Sequence, residues 1–438
     1  MSATLAATCL SFVSGTAVVR PILLRVTNLE SVGQGSLRKA LDDPRPRIVV
    51  FEVGGVIDLQ GSSVVVRSPH LIVAGQTAPD PGITLIRGGL TVETSDVTIQ
   101  HIAVRPGDRS SEAPDALGTH RGSAGPVHHV VFDHCSATWA IDENLSASGP
   151  ADVDSSKDPD ATSHDVVLRD CLIAEGLMHA THPKGAHSMG TLVHDGVRNV
   201  TISGCLYAHN NERNPRLKGG TTATITGNVM YNWGSACIGI GSRGNQRILQ
   251  PARALVADNI AIPGPDTRYR ELIKHVDPGG EVTLRNNVVV GASRHPEQRE
   301  GSRERDASLS LSMTRGPSPR EAGRGWSRTA GPGEGSAAAT VARVLRTAGS
   351  RPARRDPIDR RIVQSVIDGS GRIIDSQEEV GGYPKRPPAR RALTVPEDPD
   401  ARRRWLDALA NELAEDKTVD LSPLLRRLNV APSPGLRK

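Results

Sequence analysis

One phrase recurs along the middle of the chain and limits what it can fold into. It reads VTIQHI from Val97, VVFDHC from Val130, VVLRDC from Val166, VTISGC from Val200, ATITGN from Ala223, ALVADN from Ala254 and VTLRNN from Val282. The starts lie 33, 36, 34, 23, 31 and 28 residues apart. Each copy is a β-branched or aliphatic strand with period-two alternation, closed by a turn-forming residue. A constant strand at variable spacing fits a solenoid whose coils differ in loop length, since each unit buries its inner face only against its neighbours. The tighter Leu-x-x-Leu-x-Leu register of a leucine-rich horseshoe is absent, so a parallel β-helix is expected.

The sixth position of the phrase supports the same fold. It reads Ile102, Cys135, Cys171, Cys205, Asn228, Asn259, Asn287, which stacked coils would turn into an inward column at about 4.8 Å per step. The thiols would serve as small buried apolar groups and the amides as a hydrogen-bonded ladder. Disulfides between rungs are disfavoured because parallel strands aim their Cβ vectors alike.

Composition narrows the class. With 44 Gly and 31 Pro among 438 residues, a helical bundle is excluded, and the 3% aromatic content means that the core must be aliphatic. Beyond the first two dozen residues no uncharged apolar run is long enough to span a bilayer. A net charge of +5 suits a polyanionic partner. Nucleic acid is disfavoured, because stacking aromatics are scarce and no helix-turn-helix or zinc-finger spacing occurs.

Four segments follow. Residues 1–25 form a poorly defined N-terminal piece: Met1 to Leu24 is apolar but lacks the basic residues that open a secretory signal, and it reads as a replaced or misassigned start. Residues 26–290 form the β-helix. Within it GSLRKALDD, with Ser36 as N-cap, predicts a short helix covering the open first rung, followed by a strand at Ile48. Residues 291–336 lose all periodicity; they read as disorder or loop, with a composition like that of a shifted reading frame. Residues 337–438 form a partly helical tail packed on the solenoid, with helices at Ala337–Ala348 and around Trp405, Leu406, Leu409 and Leu413.

Three polar clusters fall in loops or strand ends of consecutive coils. Asp115 and the pair Asp142 and Glu143 in WAIDENLS would repel one another unless a proton or cation lies between them, and such an oxygen-rich set suits Ca2+. The alternative is ordinary turn aspartates. HPKGAHS carries His182, Lys184 and His187: the lysine can hold a carboxylate as a point charge and the histidines can orient it or donate hydrogen bonds, or the histidines can be solvated loop residues. Zinc on His179, His182 and His187 is weak, since no acidic ligand of a known zinc motif accompanies them. NNERNPRLKGG presents Arg213, Arg216 and Lys218 on a loop stiffened by Pro215, or is simply a solvated basic loop.

With these residues in view, the chain resembles the bacterial-type pectate lyases of polysaccharide lyase family 1, from about Val26 to Trp233 and more weakly from Ala337 to Pro384. The phrases that carry the likeness are VTNLESVGQGSLRKAL, IVAGQTAP, VVFDHCSATWAIDENLS, HPKGAHSMG, NNERNPRLKGG and GSGRIIDSQEEVGGYP. The resemblance implies a right-handed parallel β-helix and a secreted or cell-surface monomer that cleaves polygalacturonate by Ca2+-assisted β-elimination. Arg213 would take the C5 proton, which requires a depressed pKa. Lys184, His187, Arg216 and Lys218 would bind substrate, and Asp115, Asp142 and Glu143 would hold the metal. Two departures bear on the site. Lys218 stands where the family has Arg, and acids expected near Ala113 and at Ser146 are missing, so calcium is expected to bind weakly without substrate unless Glu143 substitutes. A non-catalytic β-helix that binds acidic glycans, with a degraded metal site, is the competing reading. Pectin lyase is a further one; a polygalacturonase would need clustered aspartates and a Gly-His-Gly turn, which the sequence lacks.

Overall fold

The computed structural model describes residues 12–14, 17–109, 114–120, 127–149, 161–241, 250–275, 280–291 and 337–428. The aperiodic stretch beyond Gly291, Cys9 and Ala113 lie outside the described residues. The seven phrases pair side by side as parallel strands in the register that their alignment gives, with Val97 opposite Val130, Val130 opposite Val166, Val166 opposite Val200, Val200 opposite Ala223, Ala223 opposite Ala254 and Ala254 opposite Val282. Three earlier strands, Ile22–Val26, Arg47–Phe51 and Leu71–Ala74, extend this first sheet to ten. A second sheet of ten strands and a third of eight run alongside, and the complete coils of the right-handed parallel β-helix contribute a strand to each in turn.

The turn from the first sheet to the second explains the phrase. Its fifth residue lies in the left-handed region in all seven copies: His101 (φ 55), His134 (49), Asp170 (49), Gly204 (69), Gly227 (63), Asp258 (56) and Asn286 (51). Gly, Asn, Asp and His tolerate that conformation best, which is why these types recur there. The sixth residue then points inward. Asn228 Nδ2 donates to Ile202 O at 2.9 Å, Asn259 Nδ2 to Ile225 O at 2.8 Å and Asn287 Nδ2 to Val256 O at 2.7 Å. In each case the acceptor is the third-position carbonyl of the preceding coil. The thiols do the same, Cys135 Sγ to Ile99 O and Cys171 Sγ to Phe132 O at 3.5 Å, and Cys205 Sγ to Leu168 O at 3.6 Å. They are more than apolar filler. All four described cysteines are buried and free.

Ser36 caps helix α1 (Leu37–Leu41) by accepting from Lys39 N, and the helix buries Leu37, Ala40 and Leu41 in the same core as Val26 and Phe51. Buried Arg47 closes its C-terminal end by donating to Leu41 O at 2.7 Å.

Among the described residues, four α-helices follow Gly291: α2 (Ala337–Thr347), α3 (Pro357–Asp368), α4 (Pro399–Leu413) and α5 (Ser422–Arg427). Helices α2, α3 and α5 cover the outer face of the second sheet, where Val341, Leu345, Ile362, Val366 and Leu424 pack on Leu172, Leu206, Val229 and Ile260. Leu406 of α4 packs on Ile48, Val50, Ile72 and Ala74 outside the first sheet. Strand Ala389–Arg390 pairs antiparallel with Val53–Asp58 and covers an edge of the second sheet. Arg105 is fully buried, and two tail carboxylates, Asp356 at 2.7 Å and Asp359 at 2.9 Å, hold it charged against the cost of desolvation.

Asn259 receives Asn228 N and Nδ2 on its own Oδ1 and donates to Ile225 O. Asn259→Ala would leave those groups buried and unpaired, at about 1–3 kcal/mol each. A fall in unfolding free energy of about 2–5 kcal/mol in urea titration is expected; a loss below about 1 kcal/mol would show that the ladder is dispensable.

Candidate functional site

The polar clusters meet at the corner where the second sheet hands over to the third. The strands Ser136–Thr138, Leu172–Ala174 and Leu206–Ala208 are each followed by a residue with positive φ, namely Trp139 (63), Glu175 (54) and His209 (56). Each opens a connection to the third sheet that carries functional groups: Asp142 and Glu143 on the first, His182, Lys184 and His187 on the second, Arg213 on the third. Asp115 lies just before the third-sheet strand Leu117–Thr119 of the preceding coil.

Residues of successive coils align here as well, with Glu143 bridged to Met189 and Met189 to Glu212. Met189 to Val193 spans four residues, whereas their partners Glu212 and Leu217 are five apart, so the third connection accommodates one extra residue. Arg213 lies in that bulge with φ of 62, a conformation costly for a residue with a Cβ. Bulges re-aim side chains, and this one brings the Arg213 guanidinium onto the Glu143 carboxylate.

Asp115, Asp142 and Glu143 offer carboxylate oxygens within 4.8 Å of one another. Asp115 Oδ1 accepts from Glu143 N at 3.1 Å. Burial first and the neighbouring Asp142 second push the Asp115 carboxyl up to about 7. Asp142 moves the other way: burial would raise it, but His187, His182 and Arg213 outweigh that and hold it low. His187 Nε2 is 3.2 Å from Asp142 Oδ1 and His182 Nε2 3.5 Å from Oδ2. The two rings stack at 3.6 Å and are only 6% and 7% exposed. The reading of these two as solvated loop histidines is therefore corrected. So is the statement that no acid accompanies them, because Asp142 arrives from the preceding coil. His179 turns elsewhere, to Asp375 at 2.8 Å, which removes the three-histidine zinc set.

Lys184 is exposed, and its backbone N–H donates to His182 Nδ1 at 3.0 Å. Lys218 Nζ lies 3.1 Å from Asp195 Oδ2. Neighbouring His194 is pushed down to about 4, by burial and then by Lys218. Arg216 is buried, and its Nη2 donates to Gly241 O at 3.3 Å. Ser146, where the resemblance implies a further acid, is buried beside Asp115 and helps to offset that carboxyl's rise.

Sequence reasoning missed a second amide column under this corner. Asn144 Nδ2 donates to Asn210 Oδ1 and Asn210 Nδ2 to Asn214 Oδ1, both at 3.0 Å, and all three are buried. Asn144 adjoins Glu143 and Asn214 adjoins Arg213, so the column fixes the backbone that presents both.

No family model matches the chain. A probable pectate lyase C from Aspergillus flavus is 37% identical over 245 residues, 55% of this chain and 50% of that one. Another from Aspergillus terreus is 35% identical over 286 residues, 62% and 60% of the two chains. The chain thus spans about half the length of the first of these relatives and 60% of the second. Among solved structures, a pectate lyase from Bacillus sp. N165 in complex with trigalacturonate overlaps with a TM-score of 0.40 at 10% identity, over 66% of this chain and 89% of that one. Pectate lyase II from Xanthomonas campestris gives 0.38 at 14%, over 80% and 98%. The fold assignment rests on this chain's own strand pairing rather than on these overlaps. The two curated relatives are fungal, so a likeness to bacterial members in particular finds no support in them. In sequence, the chain is similar to proteins named as pectate lyases.

Proposed function

We propose that this protein is a polysaccharide lyase of the pectate lyase type, secreted or at the cell surface, that cleaves polygalacturonate by calcium-assisted β-elimination. The kinship with named pectate lyases supports the substrate class. The observation that carries the reading is the meeting of three carboxylates and Arg213 at one corner of the solenoid.

The donor set fits calcium. Asp115 and Asp142 supply hard oxygens, and the upward push on Asp115 marks a place where negative charge is in excess until a proton or cation joins it. Asp115 and Asp142 would hold the ion, with Glu143 completing the set as it leaves Arg213. Bound there, Ca2+ would neutralise the uronate carboxylate and stabilise the charge that develops as the C5 proton departs.

The chain's own residues do the rest. Arg213, aimed by its bulge, takes the C5 proton in its neutral form, after Glu143 has left it and its own proton has passed to solvent, a loss that nearby positive charge favours. The C5–H electron pair becomes the C4=C5 double bond as the C4–O bond breaks, and the departing oxygen takes a proton from solvent. Lys184 and Lys218 hold uronate carboxylates as point charges. Asp195 orients Lys218. His187 and His182 keep Asp142 ionised and turned toward the corner, while buried Arg216 supports the strand beneath rather than touching sugar. The product is a 4,5-unsaturated oligogalacturonide, and no hydrolytic pair of carboxylates is required.

Purified protein with polygalacturonate should generate ultraviolet absorbance from the new double bond, and chelator should suppress it. Arg213→Ala should lower the rate by about 10²–10⁴-fold with circular dichroism unchanged. Undiminished turnover would remove Arg213 from the proton-accepting role. A folded parent without any turnover, but with retained binding to the polymer, would favour the non-catalytic glycan binder.

Asp115 also predicts a pH dependence. Its folded-state value of about 7 lies above the ordinary 3.8, so its protonated form favours the fold. That contribution is complete below the ordinary value and is lost as pH rises through 7. Calcium should replace it, raising Tm more at pH 8 than at pH 5.5, and Asp115→Asn should flatten the difference. Equal calcium responses at both pH values in the parent protein would exclude Asp115 from the site.

A further inference from the structure

We propose that Asp96, His128 and His129 form a second cation site, at a different corner of the solenoid, that takes a borderline divalent transition ion such as Zn2+. The corner joins the third sheet back to the first. There, in five successive coils, the residue immediately before Leu71, Val97, Val130, Val166 and Val200 has positive φ: His70 (58), Asp96 (55), His129 (52), Asp165 (52) and Asn199 (51). The strands behind them are in register, so these residues stack coil on coil. Imidazole and carboxylate alternate along the column.

Three donors converge within it. His128 Nδ1 lies 3.0 Å from His129 Nδ1, and His129 Nδ1 lies 3.2 Å from Asp96 Oδ1. Ligands on a tetrahedral zinc ion at about 2.0–2.1 Å are separated by about 3.3 Å, so these gaps are close to the edges of such a site. The two rings are nearly perpendicular, at 88°, so they are not stacked face to face. Outer partners are in place too. His129 Nε2 faces Asp165 Oδ2 at 4.0 Å, and Asp96 Oδ2 faces His70 Nδ1 at 3.4 Å.

The group at Asp142 lacks this geometry. His182 and His187 are stacked with planes only 20° apart, so an ion between them would lie out of the plane of both rings. Chemistry separates the two corners as well, because calcium prefers oxygen ligands and zinc accepts imidazole. An ion on Asp96 and His129 would join two successive coils and raise stability by mass action.

The test uses the full chain in excess calcium, titrated with ZnCl2 by calorimetry and with Co2+ followed by visible absorbance. Binding of a single Zn2+, tetrahedral Co2+ bands and a higher Tm are expected. His129→Asn keeps the left-handed backbone, since the same column carries Asn199. It should weaken Zn2+ by more than the about 10–100-fold that loss of an outer partner costs, with calcium-dependent activity on polygalacturonate unchanged. The proposal is overturned if no stoichiometric Zn2+ binding occurs, if His129→Asn binds as tightly as the parent, or if His187→Ala abolishes the Zn2+ signal instead. None of these readouts depends on lyase activity.

Discussion

From Cys135 to Asn287, each coil hands one hydrogen bond to the coil before it, from the side chain in the sixth position to the carbonyl in the third. Water cannot reach that carbonyl, so a missing donor would leave it desolvated and unpaired. The donor must also be short, because it follows directly on a left-handed residue and enters a packed interior. Asn meets both demands with a strong amide, and Cys meets them with a weak thiol and more apolar surface. The change from Cys205 to Asn228 along the stack therefore gives up apolar burial for hydrogen-bond strength while the geometry of the turn is kept. Because this column fixes the phase of the coils, residues that follow the second sheet emerge at the same corner in coil after coil.

The tail is tied to that corner. Buried Glu175 accepts from Arg361 of α3 at 2.6 and 2.8 Å and from Trp139 Nε1 at 2.9 Å. Burial would raise the Glu175 carboxyl, and Arg361 reverses this. His209 Nε2 meets Ser365 Oγ of α3 at 2.8 Å. Trp139, Glu175 and His209 are the three residues that open the connections bearing Asp142, Lys184 and Arg213. Helix α3 thus braces the start of each from outside, while Asn144, Asn210 and Asn214 brace them from within.

Much of the fold was legible because one backbone requirement repeats. Gly204, Gly227, Asp258 and Asn286 advertise a left-handed turn, and aligning on them yields the register from Val97 to Val282. The coils before Val97 were harder to place. The strand at Ile48 could be read, but its position in the stack could not, since Glu52 and Gly75 follow strands of the first sheet without repeating the phrase. At the candidate site the acids and bases could be grouped from their positions on neighbouring coils. The contacts of His182 and His187 with Asp142 could not, because the connection that carries them is long and irregular. Nor could the buried amides: Asn144 is six residues past the end of its second-sheet strand and Asn210 only two, so no common offset marks them.

The corners of each coil differ in how much chain they accept. From Asp133 onward, two residues separate every first-sheet strand from the second-sheet strand that follows it, as at His134–Cys135 and Asn286–Asn287. Between the second and third sheets the gap is six residues after Thr138, seventeen after Ala174 and seven after Ala208. Evolutionary latitude is divided accordingly. Lengthening the generous corner can install or retire a reactive group without rotating the coils beneath, whereas a single insertion at the strict corner would throw every later coil out of step.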